Sequence, residues 1–84
     1  MKWITLVSKK AEKKLRQSGK YKARLSREIK AIELDPLLGA VPIQGKENTY
    51  RRRVGDWRII FDIQTGDGFV HIRKIERRSS KTYS

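Results

Sequence analysis

Arginine is concentrated where chemistry on an anion would need it. Arg51, Arg52 and Arg53 stand in a row, Arg58 follows shortly after, and Gly55-Asp56 lies between them. A guanidinium fork matches the oxygens of a phosphate, and arginine is favoured over lysine where that planar fit matters. His71 is the single histidine, and histidine is the side chain that most readily exchanges a proton near neutral pH. With one histidine and no cysteine, His-rich and thiolate metal sites, thiol catalysis and disulfide frameworks are all excluded. Anion binding is the chemistry left open, with proton transfer through His71 as an option.

The elements that must position these groups follow from the turn. Gly55-Asp56 is a two-residue loop with glycine first, the signature of a type II′ hairpin, and it fixes the register of the flanking strands. Val54 then faces Trp57, Arg53 faces Arg58, Arg52 faces Ile59, Arg51 faces Ile60 and Tyr50 faces Phe61. Side chains alternate along a strand, so Tyr50, Arg52, Val54, Trp57, Ile59, Phe61 and Ile63 share the core face. Arg51, Arg53, Arg58, Ile60 and Asp62 share the other. Arg52 is the misfit of the core face and is expected to reach water from a sheet edge. Across the hairpin Arg53 opposes Arg58, a like-charge pairing that costs stability where favourable cross-strand pairs contribute about 0.2 to 1 kcal/mol. A solvated edge of splayed arginines is one reading of this face; three guanidiniums around one turn favour an anion site. If Gly66-Asp67 is the tip of a second hairpin, Ile63 pairs with Val70 in the core and Asp62 with His71 on the arginine face. His71 is then a general base or half of a structural Asp-His pair, and the pairing favours the structural role.

The rest of the chain supplies the frame. Residues 2 to 7 read as a first strand, and Ser8 as the N-cap of a helix from Lys9 to Ser18 with Ala11 and Leu15 on its apolar face. Gly19 ends that helix. Tyr21, Leu25, Ile29 and Ile32 form one stripe on a second helix, which Asp35-Pro36 stops. Residues 36 to 49, with Pro36, Gly39, Pro42 and Gly45, read as a connecting loop that Ile43 anchors in the core. The period then changes to two, giving strands at Tyr50 to Val54, Trp57 to Ile63 and Phe69 to Arg73. The expected fold is α+β in the order β-α-α-β-β-β, two N-terminal helices packed on a mainly antiparallel twisted sheet. A single domain is expected over residues 1 to 84.

Composition narrows the class of partner. Lys and Arg number 21 against nine Asp and Glu, a net charge of +12 on 84 residues. That density self-repels unless a polyanion or an acidic protein neutralises it. Lys9, Lys10, Lys13, Lys14 and Arg16 crowd the first helix, and Lys20, Lys22 and Arg24 continue the cluster into the second. With Arg73, Arg78 and Lys81 they are candidates for RNA phosphate contacts, against the alternative of a solvated lysine-rich face. The apolar run at residues 3 to 7 is too short for a signal sequence, and no segment is long enough to span a membrane, so a cytoplasmic chain is expected.

The segment Tyr50-Arg51-Arg52-Arg53-Val54-Gly55-Asp56-Trp57-Arg58-Ile59-Ile60-Phe61 resembles the central hairpin of the RelE/ParE toxin superfamily. There a basic strand meets a glycine-containing turn and an aromatic-Arg-aliphatic-aliphatic-aromatic strand. The β-α-α-β-β-β order and the size also match, while the first 45 residues match only in pattern and in Asp35-Pro36. The resemblance implies a toxin held inactive by a cognate antitoxin, usually acidic. RelE-like members cut messenger RNA in the ribosomal decoding site; ParE-like members inhibit DNA gyrase and lack the nuclease set.

In the RelE-like set, two basic residues alternate on one strand, an arginine follows the aromatic on the next, and another precedes a C-terminal tyrosine by six residues. Arg51, Arg53, Arg58, Arg77 and Tyr83 stand at those positions. The implied reaction needs no metal or other cofactor: the RNA 2′-hydroxyl attacks the adjacent phosphorus in line, leaving a 2′,3′-cyclic phosphate and a 5′-hydroxyl. Arg58 and Arg77 would clamp the phosphate, Arg51 and Arg53 would favour ionisation of the 2′-hydroxyl, and Tyr83 would stack on or orient the nucleotide. The family's alternating pair is often lysine, one of which can serve as the base. Arg53 departs from this, because a guanidinium keeps its proton. The rival readings are a ParE-like gyrase inhibitor and a catalytically silent nucleic-acid-binding module.

Overall fold

The computed structural model describes residues 3 to 77. Strand β1 (Ile4–Val7) leads into helix α1 (Lys9–Arg16), a single 3₁₀ turn at Gly19–Tyr21, and helix α2 (Lys22–Leu34). A two-residue strand β2 (Val41–Pro42) precedes three long strands, β3 (Thr49–Val54), β4 (Trp57–Gln64) and β5 (Phe69–Arg77). The five strands form one sheet in the order β1-β5-β4-β3-β2. Only β1 runs parallel to its neighbour, β5; the other pairings are antiparallel. The expected α+β arrangement therefore holds, with one strand more than the sequence indicated. That strand is short and contains a proline, which suits an edge position.

The core sits between the helices and one face of the sheet. Ala11, Leu25 and Ile32 from the helices meet Val54, Trp57, Ile59, Phe61 and Ile63 from the hairpin and Val70, Ile72 and Ile75 from β5. Tyr21 and Ile29 complete the helical stripe at its margin, and Leu15 packs beside them. Pro36 is also buried, so the residue that stops α2 also packs in the interior.

Hairpin register follows the turn. Val54 pairs with Trp57, Arg53 with Arg58, Arg52 with Ile59, Arg51 with Ile60 and Tyr50 with Phe61. Gly55 has φ of +60° while Asp56 does not enter positive φ, as a type II′ turn requires. Alternate residues of β4 from Trp57 to Ile63 are buried, the expected result of one covered face.

Three expectations are corrected. Arg52 does not splay into water but stays only partly exposed: its Nε donates to Glu28 of α2 at 2.8 Å and its Nη1 to the Leu38 carbonyl at 3.0 Å. A cation on the core side is tolerated because α2 and the following loop bring it a carboxylate and a carbonyl. Ile43 is half-buried and outside the core cluster; β2 ends just before it. Asp62 is opposite His71 in register but forms no ion pair with it. Its Oδ1 accepts from Thr49 Oγ1 at 2.8 Å and its Oδ2 from Arg73 Nη1 at 2.7 Å, so the carboxylate is committed elsewhere.

The third long strand also runs past Arg73 to Arg77, through an irregularity. Ile60 pairs with Lys74 and Phe61 with Ile72, which leaves Arg73 as an extra residue, a bulge. Beyond it the alternation shifts: Ile72 and Ile75 both point into the core. Ser8 braces this point. Its hydroxyl donates to the Arg73 carbonyl at 2.8 Å and accepts from the Ala11 amide at 3.0 Å, while its own amide bonds the Ile72 carbonyl at 2.9 Å. One side chain thus caps α1 and satisfies the bulge. Ser8→Ala is expected to lose about 0.5 to 2 kcal/mol, the range for a helix N-cap, and urea denaturation with an unchanged midpoint would contradict the double role.

Candidate nucleic-acid interface

The sheet face away from the core carries the basic residues. On β3, Arg51 and Arg53 are exposed, and on β4 the sequence Arg58, Ile60, Asp62 lies along the same side. Arg58 is not a free cation: its Nη2 is 3.0 Å from Glu76 Oε1, and Lys74 Nζ is 3.2 Å from the other oxygen of the same carboxylate. The Arg58 Nε is buried and has no hydrogen-bond partner among the described residues. Glu76 therefore bridges Arg58 and Lys74 while one guanidinium donor stays unused.

A groove of about 600 Å³ opens beside this triad. Ile60 and Asp62 form its floor with Thr49, and Lys10, Lys46, Arg73 and Lys74 line it along with Ile43. A smaller depression of about 300 Å³ adjoins it, lined by Lys10, Lys13 and Lys14 of α1 and by Lys74 and Glu76 of β5. Lys10 and Lys74 belong to both. Helix α1 follows β1 and packs on β5, which is how its lysines come to flank the outer face of the sheet.

Arg77 is elsewhere. After the bulge it shares the side of Ile75, and it pairs with Trp57 across the strands. Its guanidinium carbon lies 5.1 Å from the Tyr21 ring centroid and 5.7 Å from that of Trp57, and its Nη2 donates to the Tyr21 hydroxyl at 3.5 Å. Of the five residues picked out for RNA cleavage, Arg51, Arg53 and Arg58 share one face and Arg77 sits over aromatic rings on the other. Tyr83 lies outside the described residues, as do Arg78 and Lys81.

The candidate phosphate contacts divide in the same way. Lys10, Lys13, Lys14 and Arg73 border the grooves. Arg16 pairs with Glu12 one turn back at 2.8 Å, and Lys20 Nζ stands 5.5 Å from the Tyr21 ring centroid. Arg24 lies against the β3–β4 turn, where a Cβ on Gly55 would meet its Nη1 at 3.3 Å. Lys9 and Lys22 are exposed on their helices and line neither groove. Thr49, Lys46, Lys74 and Glu76 were not singled out from sequence. Thr49 was within reach of the register count, one step beyond Tyr50. For Lys74 and Glu76 the signal was the three-residue spacing of Ile72 and Ile75, which breaks strict alternation and marks a bulge.

Comparison with known proteins settles the family. Residues 5–81 match the family model described as the ParE toxin of the type II toxin-antitoxin system parDE. The chain belongs to the RelE/ParE toxin superfamily. No curated protein sequence matches it. Among solved structures, RelE from the archaeal RelE-RelB complex of Pyrococcus horikoshii OT3 superimposes with a TM-score of 0.82 at 23% identity, over 95% of this chain and 99% of that one. The isolated E. coli RelE toxin gives 0.82 at 15% identity, covering 96% and 90%. The chain from the RelB-RelE complex of Methanococcus jannaschii gives 0.68 at 26% identity, covering 86% and 88%. The protein is thus a toxin of the type II toxin-antitoxin class with a RelE fold.

Its two arginine environments should be separable by experiment. Arg77→Ala removes a cation from two aromatic rings, an interaction of about 0.5 to 1 kcal/mol at an exposed site. The expected result is a lower urea midpoint with altered tryptophan emission. Arg58→Ala breaks a partly exposed ion pair but relieves the Arg53 opposition, so stability should change by less than about 1 kcal/mol. Tryptophan emission that responds to Arg58→Ala and not to Arg77→Ala would contradict the placement.

Proposed function

We propose that this toxin is RelE-like: a ribosome-dependent endoribonuclease that cleaves messenger RNA by attack of the 2′-hydroxyl and so blocks translation. The observation that carries the reading is Arg58 on the same face as Arg51 and Arg53, beside a groove rimmed by lysines. Cations fixed before the substrate arrives can stabilise the charge that builds on a pentacoordinate phosphorus. They can also hold the strand in the in-line geometry the attack needs. Glu76 already occupies Arg58 and Lys74 with a carboxylate, which supports this point as a place where an anion fits. Arg51 and Arg53 would favour the ionised 2′-hydroxyl. None of Arg51, Arg53, Arg58 and Arg77 is suited to take the proton, because a guanidinium keeps its own, so activity on free RNA should be weak and the ribosome would complete the site. RelE appears in complexes with RelB in P. horikoshii and in E. coli. For this chain we propose a cognate acidic antitoxin, drawn by the +12 charge, and action in the cytoplasm.

A second reading has two observations in its favour. The matching family model is that of ParE, and Arg77 stands apart from Arg58, which thins the nuclease set. On that reading the basic face binds a protein target, and DNA gyrase is the one the resemblance implies.

Induced expression without an antitoxin distinguishes the two. Primer extension is expected to show cuts within translated frames that vanish when initiation is blocked; intact messages accompanied by DNA breaks would establish the gyrase reading. Arg58→Ala should fold and lose toxicity, and a stable variant with full toxicity would remove Arg58 from the phosphate contact. Arg53→Lys should keep or raise single-turnover cleavage on programmed ribosomes, because lysine retains the cation and can release a proton. A loss of about 100-fold would show instead that the guanidinium itself is needed.

A further inference from the structure

The 600 Å³ groove differs from a bare phosphate site in one respect: its floor holds a carboxylate. The Asp62 side chain is only 15% exposed, and two bonds fix it, from Thr49 Oγ1 to Oδ1 and from Arg73 Nη1 to Oδ2. A carboxylate has about four lone-pair sites, so each oxygen can accept one more donor from the groove. Beside it on the floor is the apolar Ile60, with Ile43 also in the lining, while Lys10, Lys46 and Lys74 stand around them. A free phosphate seated at this floor would face the negative carboxylate. A nucleotide would not, because its base can meet the floor while its phosphates meet the cations.

We propose that this groove is a nucleobase site selective for guanine, with Asp62 as the group that reads the base. Guanine presents two adjacent donors, N1–H and the exocyclic N2–H, along its Watson–Crick edge, and the two fixed Asp62 oxygens can take both. Single-stranded RNA is commonly read on that edge. Cytosine and adenine each offer an amino donor beside an acceptor nitrogen, and uracil one N–H between two carbonyls, so each sets an acceptor against the carboxylate. Ile60 supplies an apolar surface for the base face. Arg58, Ile60 and Asp62 follow one another at alternate positions of β4, about 13 Å end to end at a strand rise of ~3.3 Å. A phosphate at Arg58 and the base next to it therefore fall on one line. Asp62 would act as a specificity-determining residue, with Thr49 and Arg73 positioning it. This inference rests on the reading of the chain as an RNA-cleaving toxin, which it supplies with a sequence preference.

Titration of the wild-type protein with GMP, AMP, CMP and UMP, followed by amide shifts of Ile60 and Asp62, tests it without any variant. GMP is expected to bind at least tenfold more tightly than UMP and to shift these residues; equal binding of all four, or no shift at these residues at millimolar nucleotide, would overturn the proposal. Asp62→Asn keeps an acceptor for Thr49 but exchanges one oxygen for a donor. In a variant of wild-type thermal stability it should bring the GMP to UMP ratio within about threefold, and an undiminished ratio would also overturn it. If the Asp62→Asn variant does not fold, Thr49→Val, which frees Oδ1 without removing charge, should still alter the ratio, and no change would count against the proposal. The parent reading fails separately: selective GMP binding with no cleavage of translated messages would retain the guanine site and remove the nuclease, whereas cleavage indifferent to guanine with unselective binding would do the reverse.

Discussion

Gly55 holds φ of +60°, a region that L residues with a Cβ enter at a cost of about 1 to 2 kcal/mol, and with Asp56 it reverses the chain in two residues. Everything on the hairpin depends on that economy. A two-residue turn leaves no freedom of register, and a slip of one residue would carry every side chain to the opposite face. Trp57, Ile59, Phe61 and Ile63 would leave the core, and Arg58 and Asp62 would enter it. The apolar residues of β4 therefore hold the register as firmly as the turn does, and the arginines face outward because their neighbours cannot. The guanidinium of Arg24 lies against the same glycine, so a side chain there would be strained in its backbone and would also push that guanidinium aside. The opposed pair Arg53 and Arg58 is tolerated because this face is exposed and Glu76 approaches Arg58 from β5.

A second constraint acts at the far strand. The extra residue at Arg73 lets β5 keep both Ile72 and Ile75 in the core, which strict alternation forbids. The consequence is a change of side for whatever follows: Glu76 joins Arg58 on the outer face, and Arg77 moves to the aromatic side over Tyr21 and Trp57. Arg73 itself turns to Asp62. The bulge thus builds both ends of the candidate site, and Ser8 ties it to the start of α1, the helix that brings Lys10, Lys13 and Lys14 to the grooves.

Legibility from sequence followed how local each determinant was. The first hairpin could be counted residue by residue since its turn type is written in two letters, and both helices were visible from their stripes, although α1 ends at Arg16, ahead of the Gly19 expected to stop it. Strand β2 was not, because two residues containing a proline carry no period; it exists only through pairing with β3. Arg52 looked like a misfit because its partner Glu28 is 24 residues away on another element, and sequence separation hides such pairs. Asp62 was placed in the right register opposite His71, yet its true partners depended on Thr49 across one strand and on a bulge in the other. Among the site residues, Arg51, Arg53 and Arg58 were legible as a shared face, whereas the departure of Arg77 required the same unseen bulge.

The charge balance explains why such a surface needs a partner. Of nine acidic residues, Glu12, Glu28, Asp62 and Glu76 are each paired with arginine inside the chain. These internal pairs organise the fold without touching the surplus, since pairing leaves the net charge unchanged. The excess of twelve cations therefore appears on the surface, and part of it is gathered by α1 and β5 on both sides of the grooves. An RNA strand and an acidic protein would be attracted to the same charges, with affinities that fall together as salt rises. Two ligands that share their cations exclude each other directly, so inhibition by an acidic partner would require no change in the toxin's shape. What would distinguish them is the floor of the larger groove: a carboxylate beside an isoleucine contributes nothing to a general attraction for anions, and it selects for a ligand that brings donors and a flat apolar face along with its negative charge.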